Sequence, residues 1–358
     1  TLMEASGYMA RVAFIVDKLM HKVGLHGKSF VPMLMGFGCN VPAIMATRTI
    51  ENKNDRLVTM LIIPFMSCSA RYPVYILLIT AFFTDFRGTL LFGIYLFGIL
   101  LAGIVAWIMK KTLFKVETVP FVMELPPYRM PVFSSVLKQT WFKAEQYLRK
   151  MGTIILVASI VVWALGYFPL NSDIDTRYDS KIESLNEKLS HTNDLIVINE
   201  LTDSIVKINS VKLSEKQENS YIGVIGKFVE PAIAPLGFDW KMGIGLIAGS
   251  AAKEIVISTL GVLYQSSDDV EDNQLLVSRL QNQIYESGPK KGKPVFTPLV
   301  ALSFMLFILI YFPCIAVVAA IKNESGDWKW SLFLTIYTTA LAYLVSFITF
   351  QVGSLLGF

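Results

Sequence analysis

The stretch Gly36-Phe37-Gly38-Cys39-Asn40-Val41-Pro42 interrupts an apolar segment with two glycines and a proline, and it carries one of the three cysteines in the chain. The other two cysteines lie at similar interruptions, Cys68 within Pro64–Pro73 and Cys314 at the end of Tyr311-Phe312-Pro313-Cys314. A helix that breaks inside a membrane frees backbone groups that lipid cannot satisfy, so such breaks occur where protein or a water-filled cavity surrounds them. The three stretches therefore predict broken membrane helices, with the thiols as candidate soft ligands on a transport path.

The composition is that of a membrane protein. Hydrophobic residues make up 53% of the 358 residues, charged residues make up 17%, and the mean hydropathy is +0.52. Soluble domains carry about 25% charged residues, and one membrane crossing needs about 20 mostly apolar residues. Several runs of that length predict an all-α polytopic membrane protein. These runs are Leu57–Phe83, Leu90–Met109, Gly152–Leu170, Met242–Tyr264, Leu299–Ile321 and Ser331–Phe358.

The charges between the apolar runs orient the chain. Residues 110–150 carry eight Lys or Arg against three Glu, whereas residues 171–240 carry seven Lys or Arg against twelve Asp or Glu. Because loops rich in Lys and Arg stay in the cytoplasm, residues 111–150 are predicted to form a cytoplasmic connector at the membrane interface. One transmembrane helix at 151–170 then leads to an extracytoplasmic helical insert at 171–240.

The order of the segments occurs twice. Residues 1–110 contain two broken segments followed by a continuous span, and residues 241–358 contain the same order, which we interpret as two gate-like repeats. Paired broken segments in two halves indicate a transport site near the bilayer midplane. Counting membrane crossings gives parallel repeats, whereas inverted repeats require one broken segment to be a re-entrant hairpin. The residues alone leave both arrangements open.

The residues at the breaks suggest a transition metal as the transported species. Thiolates bind Fe²⁺, Zn²⁺ and Cu(I), whereas Mg²⁺ and Ca²⁺ prefer oxygen ligands. The predicted metal path therefore centres on Cys39, Cys68 and Cys314, although each thiol can instead be a small packing residue. Four further side chains either add oxygen ligands or satisfy freed backbone groups. They are Asn40, Ser67, Ser69 and Ser250.

Charged residues within the apolar segments form a second group of candidates. Arg71, Lys253 and Glu254 lie in otherwise apolar surroundings, where a charge is costly and by default functional. We add Glu254 to the predicted metal ligands. The alternative for these side chains is a structural ion pair.

Two familiar motifs are absent. Gly24-Leu25-His26-Gly27-Lys28-Ser29 ends like a phosphate-binding loop but is too short for GxxxxGK[ST], so the chain is predicted to bind no nucleotide. No CxxC or HExxH spacing occurs, so a closed zinc site is not predicted. We expect neither enzymatic activity nor a nucleic-acid partner.

Several longer motifs resemble the membrane domain of the ferrous iron transport protein B (FeoB) family. The resemblance runs through most of the chain and leaves the acidic insert uncovered. Its motifs are Met3–Arg11, Gly36–Ala43 with Arg48, Pro64–Tyr75 and Glu124–Pro131, and Gly249–Glu254 and Tyr311–Cys314 resemble the second gate region of the family.

This resemblance implies a function and partners. It implies Fe²⁺ uptake across the bacterial inner membrane, with Fe²⁺ as the transported substrate, and metal-path cysteines at Cys39, Cys68 and Cys314. It further implies a GTPase domain that precedes this chain and a small cytoplasmic accessory protein, besides membrane lipid. The architecture implied is that of nucleoside transporters with inverted repeats, which favours the re-entrant hairpin. A homo-oligomer is an open alternative.

Two other functions stay open on the residues. One is an organic-solute carrier of the nucleoside-transporter type, which would need a pocket of polar and aromatic groups. The other is a membrane thiol oxidoreductase that uses Cys39 and Cys68, and it would cycle between free thiols and a disulfide.

Overall fold

A computed structural model gives the fold. It describes residues 8–114, 172–190, 218–264 and 292–357, together with scattered positions in 134–169, 201–216 and 277–283. Within these residues the chain forms helices and turns without a β-strand. The helices are α1 Tyr8–Lys22, α2 Phe30–Gly36, α3 Asn40–Ala46, α4 Lys53–Ile62, α5 Tyr72–Phe82, α6 Arg87–Thr112, α7 Ser172–Ser190, α8 Tyr221–Ile233, α9 Trp240–Ala251, α10 Ile255–Tyr264, α11 Pro298–Ile310, α12 Ile315–Ser325 and α13 Trp328–Leu355.

Four helical stretches in the described residues are long and apolar enough to cross a membrane. They are Lys53–Phe82, Arg87–Thr112, Pro298–Ser325 and Trp328–Leu355. A fifth candidate is the pair Tyr221–Leu236 and Trp240–Ala251, which is bent by 106°. The prediction of an all-α polytopic membrane protein is therefore confirmed.

The helices reproduce the repeated order of segments. In the first half, the short pair α2 and α3 precedes the broken pair α4 and α5 and the continuous α6. In the second half, α9 and α10 precede the broken pair α11 and α12 and the continuous α13. The breaks before α3, α5 and α12 contain Gly or Pro, which removes a helical hydrogen bond or permits a turn, whereas the break between α9 and α10 at Ala252 to Glu254 contains neither.

Helices α9 and α10 form a hairpin. A Cβ on Gly245 of α9 would lie 3.2 Å from a methyl carbon of Leu260 in α10. The hydroxyl of Tyr264, at the end of α10, donates to both carboxylate oxygens of Asp239, the N-cap of α9, at 3.0 Å. The start of α9 and the end of α10 therefore meet. Twelve residues of α9 span about 18 Å, too short for a crossing, so this pair has the geometry of the re-entrant hairpin that inverted repeats require.

The chain divides into two compact units that do not follow the sequence halves. The first consists of Thr1–Pro73, Phe86–Val157 and Leu306–Val345, and the second of Val74–Asp85, Ala158–Met305 and Ser346–Phe358. The first unit thus combines helices α1 to α4 and α6 with α12 from the other half. Three of the four breaks lie in this first unit.

A buried ion pair joins two helices of the first unit. Lys110, near the end of α6, donates to the carboxylate of Asp55 in α4, and both residues are buried. Gly24, just after α1, lies against the side chain of Lys110 and has a left-handed backbone conformation with φ of 78°. A Cβ at this position would lie 3.3 Å from Lys110 Cγ, so the glycine leaves room for the aliphatic part of Lys110. The pair fixes α6 beside the helix that leads to the second break.

The polar segment before α8 is cross-linked by ion pairs. Lys212 contacts Asp179 of α7 at 2.6 Å, and Lys216 contacts Asp175 of the same helix at 2.8 Å. Lys216 follows Lys212 in the sequence, but its partner Asp175 precedes Asp179, so the segment that contains the two lysines runs antiparallel to α7. The end of the predicted insert differs from expectation, because Tyr221–Ile233 is an apolar helix that belongs to the bent pair.

Some sequence predictions lie outside the described residues. They concern most of the connector at 111–150 and of the span at 151–170, the first seven residues, and much of the insert between residues 191 and 217.

Replacing Gly98 of α6 by Ala should destabilise the protein by about 1–3 kcal/mol, because overpacking forces neighbours apart. A Cβ on Gly98 would lie 2.8 Å from the carbonyl oxygen of Phe65, just before the second break, whereas a Cβ on Gly93 meets no atom within 4 Å. The matched control Gly93→Ala should be neutral or stabilising by up to about 1 kcal/mol, since Ala favours helix. Thermal unfolding of both purified variants measures the difference, and equal midpoints would contradict the close contact.

Candidate metal path

The first break separates α2 from α3 and exposes one thiol partly. Cys39 is the N-cap of α3, with extended backbone angles of −149° and 129°, and its carbonyl accepts the backbone amide of Ala43 at 3.3 Å. Pro42 is the third helical residue, in the first turn, where its missing N–H costs no hydrogen bond. Cys39 is half-buried, so its thiol is accessible at the start of a half-helix.

The second break lies directly beside the first. The backbone amide and the hydroxyl of Ser69 both donate to the carbonyl oxygen of Gly38, at 3.2 and 2.9 Å. Since Gly38 precedes Cys39 and Ser69 follows Cys68, these two bonds bring the two cysteine-bearing segments together. Cys68 is also a half-buried N-cap, here of the short 3₁₀ turn that leads into α5.

Arg71 holds the second break in shape. Its Nη1 donates to the carbonyl oxygen of Pro64 at 2.9 Å and to that of Met66 at 3.4 Å. These are carbonyls that the end of the helix leaves without amide partners. Arg71 is 1% exposed, and its Nε has no hydrogen-bond partner in the described part of the chain.

The third break places Cys314 at the N-terminal end of α12, as the first break places Cys39 at the N-terminal end of α3. Cys314 is the N-cap of α12, which packs against α3. Arg48, two residues after α3, forms an ion pair with Glu324 in the last turn of α12, so the C-terminal ends of these helices meet. Because the two helices run side by side in the same direction, Cys39 and Cys314 lie at the same end of the pair.

Glu324 is a buried charged residue that the sequence patterns did not indicate. Its side chain is 5% exposed and accepts hydrogen bonds from Arg48 Nε at 2.7 Å and from Arg56 Nη2 at 2.8 Å. Hydrogen bonding to Glu324 raises the pKa of Arg48 above its ordinary value, so this side chain remains charged. In the sequence, the only indication of this ion pair is that Arg48, Arg56 and Glu324 all lie at the borders of apolar segments.

Asn40 presents a buried oxygen without a partner. It is the first residue of α3, 4% exposed, and its Oδ1 has no hydrogen bond with any residue that the structure describes. A buried polar atom of this kind costs about 1–3 kcal/mol when it stays unsatisfied. An amide oxygen next to Cys39 is therefore available to a cation.

The fourth break, in the second unit, carries the remaining predicted residues. Ser250 lies within the last turn of α9, and its hydroxyl donates to the carbonyl oxygen of Ile247 at 2.6 Å, which satisfies that backbone group. The break itself is Ala252 to Glu254, and Glu254 is exposed immediately before α10. Glu254 thus holds the position in its repeat that Cys39 holds before α3, while Lys253 beside it is buried.

Across the residues that the structure describes, no three His, Cys, Asp or Glu side chains lie close enough together to hold one metal ion. Within the described residues, none of the three cysteines forms a disulfide bond. The prediction that these residues and their oxygen neighbours ligate a metal is therefore not tested by the geometry.

Comparison with known proteins places this architecture in a family. The model described as nucleoside recognition matches residues 1–82 and 148–328, and the model of the C terminus of ferrous iron transport protein B matches residues 91–143. The chain is 56% identical to the Fe(2+) transport protein A/Fe(2+) transporter FeoB fusion protein of Porphyromonas gingivalis over 99% of its own length and 41% of that relative. It is 42% identical to the Fe(2+) transporter FeoB of Campylobacter jejuni, covering 99% of the chain and 51% of the relative. No solved structure matches the chain.

The helices and their paired breaks define a multi-pass inner-membrane protein of the gate class. The chain belongs to the ferrous iron transport protein B family and is its membrane part. It spans about half the length of the curated relatives that it matches.

Proposed function

We propose that this chain forms the metal-conducting part of an Fe²⁺ uptake system in the bacterial inner membrane. The observation that carries the proposal is the arrangement of the three cysteines. Each is a half-buried N-cap at a break, and all three belong to the same compact unit. Half-exposed thiols at helix breaks supply the soft ligands that Fe²⁺ accepts and that Mg²⁺ and Ca²⁺ avoid.

A stepwise path fits these residues better than one closed site. The described residues contain no cluster of three His, Cys, Asp or Glu side chains, and a permeation path needs binding that is weak enough for release. In this proposal Fe²⁺ meets Cys39 and Cys68 at the joined breaks, with the unpartnered oxygen of Asn40 and the exposed Ser69 as oxygen ligands. Cys314 follows at the same end of the α3 and α12 pair. Glu254 and Ser250 belong to the other compact unit, and their role as metal ligands stays a prediction.

The relatives suggest how the path is driven. Because the chain covers about half of their length, we propose that a GTPase domain elsewhere in the protein gates it and that no nucleotide binds to this chain. The Porphyromonas relative is named as a fusion with Fe(2+) transport protein A, which supports a small accessory protein as a partner.

Uptake by vesicles tests the proposed function. Full-length protein in lipid vesicles should accumulate Fe²⁺ under reducing conditions, and empty vesicles should not. The matching family model is described as nucleoside recognition, so the same vesicles are offered a labelled nucleoside. Nucleoside uptake without Fe²⁺ uptake would replace the proposal by the organic-solute carrier. A disulfide that forms and disappears during turnover would favour the thiol oxidoreductase.

A further inference from the structure

Arg71 is a permanently charged side chain buried beside the proposed path. It is the largest of the fully buried side chains in the described residues. A guanidinium stays protonated in proteins. Its partners are the carbonyl oxygens of Pro64 and Met66, and the described part of the chain gives it no carboxylate. Within the described residues, a positive charge is therefore buried without a carboxylate partner.

Hydrogen bonding alone does not account for this charge. The two carbonyl oxygens need donors, but a neutral donor supplies them, as the hydroxyl of Ser69 does for Gly38 at the neighbouring break. Burying an unpaired charge carries a penalty of several kcal/mol that a neutral donor avoids. The charge itself consequently calls for a role beyond capping the helix end.

The position of the charge suggests that role. Met66, whose carbonyl oxygen contacts the guanidinium, precedes Cys68 by two residues, and the backbone amide of Arg71 donates to the carbonyl oxygen of Cys68 at 3.0 Å. Tyr95 of α6 lies within electrostatic reach of both Cys68 and Arg71. A divalent cation at Cys68 would be repelled by the guanidinium. At roughly 8 Å, the repulsion of a divalent cation changes a binding constant by about a thousandfold at an effective dielectric constant of about 20 and by about tenfold in a water-filled path, so about tenfold is the lower bound.

We propose that Arg71 sets the affinity of the path for divalent cations, because its fixed positive charge beside Cys68 makes a bound cation leave quickly. This inference rests on the proposed function, in which cations pass Cys68. It makes Arg71 a residue that tunes release, since permeation requires sites that bind a cation and then let it go.

Two substitutions separate charge from hydrogen bonding. Arg71→Gln keeps N–H donors for the carbonyl oxygens but removes the charge, and Arg71→Lys keeps the charge with fewer donors. In vesicles with the full-length protein, Arg71→Gln should lower the KM for Fe²⁺ by about tenfold and also lower kcat, because release becomes slow. Arg71→Lys should keep the KM near that of the unmodified protein. A fall in kcat in both variants with no fall in KM would mean that Arg71 is only structural and would overturn the inference.

A binding measurement gives an independent readout. Co²⁺ bound to a thiolate shows a charge-transfer absorption, so detergent-purified protein can be titrated with Co²⁺ at equilibrium. Arg71→Gln should bind Co²⁺ about tenfold more tightly, and Cys68→Ser should remove its part of the absorption. Equal affinities for Arg71→Gln and the unmodified protein would contradict the inference.

A second pair of variants covers the case in which Arg71→Gln does not fold. Ser69 is exposed next to Cys68, so Ser69→Lys adds a positive charge there while Arg71 stays intact. Ser69→Lys should raise the KM for Fe²⁺ above that of the neutral control Ser69→Gln, and equal values would overturn the inference. If the unmodified protein takes up no Fe²⁺, the proposed function itself fails. If it takes up Fe²⁺ but the charge variants leave the KM unchanged, only the inference about Arg71 fails.

Discussion

Replacing Glu324 by Gln should lower the free energy of unfolding by about 3 kcal/mol, the low end of what breaking a buried ion pair costs. The Glu324 side chain is 5% exposed, whereas the side chains of its partners Arg56 and Arg48 are 27% and 60% exposed. Without the carboxylate, the guanidinium of Arg56 keeps its position in a partly buried site with no countercharge. Its Nε already has no partner, so the arginine cannot compensate within the native packing.

The matched control is Glu51→Gln. Glu51 also pairs with a cation, Lys28 at 2.8 Å, but its side chain is 88% exposed, and such surface pairs contribute about 0.2–1 kcal/mol. Thermal unfolding of both purified variants should therefore show a fall of several degrees for Glu324→Gln and little change for Glu51→Gln. Equal midpoints would mean that the carboxylate of Glu324 is not buried with its arginines.

The same ion pair connects stability with the proposed path. Glu324 joins the C-terminal ends of α3 and α12, and the N-caps of these helices are Cys39 and Cys314. Loosening one end of a packed helix pair changes the register at the other end. We therefore expect Glu324→Gln to reduce Fe²⁺ uptake more than its loss of folded protein explains.

The sequence predicted the helix breaks well where proline or glycine acts on the backbone directly. Cys39, Cys68 and Cys314 are all N-caps, as expected for residues that follow a break. The fourth break is narrower than the glycine-rich stretch from Gly243 to Glu254 indicates, because α9 continues to Ala251. Glycine tolerates helical angles, and here its missing side chain serves packing, since a Cβ on Gly243 would lie 2.9 Å from Ile233.

Tertiary contacts were beyond the reach of the sequence pattern. Arg48 and Glu324 are 276 residues apart, and hydrophobic periodicity describes a face of one helix without naming its partner. The apolar helix Tyr221–Ile233 was not predicted either, because the mean charge of residues 171–240 is dominated by the acidic residues that precede this helix. Arg71 was recognised as a costly buried charge, but its carbonyl partners at Pro64 and Met66 required the folded backbone.

Replacing Cys68 by Ser should reduce Fe²⁺ uptake by at least about tenfold, since even residues that only support a metal ligand typically change activity by that factor. Serine keeps the size and the extended backbone of the N-cap, but its hydroxyl does not ionise to a soft ligand. Cys39→Ser should have a similar effect, because the two bonds from Ser69 to Gly38 hold both thiols at one place on the path. Vesicle uptake with full-length protein measures both.

Ion selectivity distinguishes a lost ligand from a damaged fold. Mn²⁺ depends less on thiolates than Fe²⁺ does, so Cys68→Ser should lower Fe²⁺ uptake more than any Mn²⁺ uptake, whereas a misfolded variant loses both equally. Thr112→Ala is a suitable control, because its hydroxyl only donates to Ile108 at the exposed end of α6 and uptake should not change. If Cys39→Ser, Cys68→Ser and Cys314→Ser all leave Fe²⁺ uptake intact, the thiols are packing residues. The cation would then be bound by oxygen atoms alone, and Asn40, whose Oδ1 has no hydrogen-bond partner in the described residues, would be the first residue to substitute.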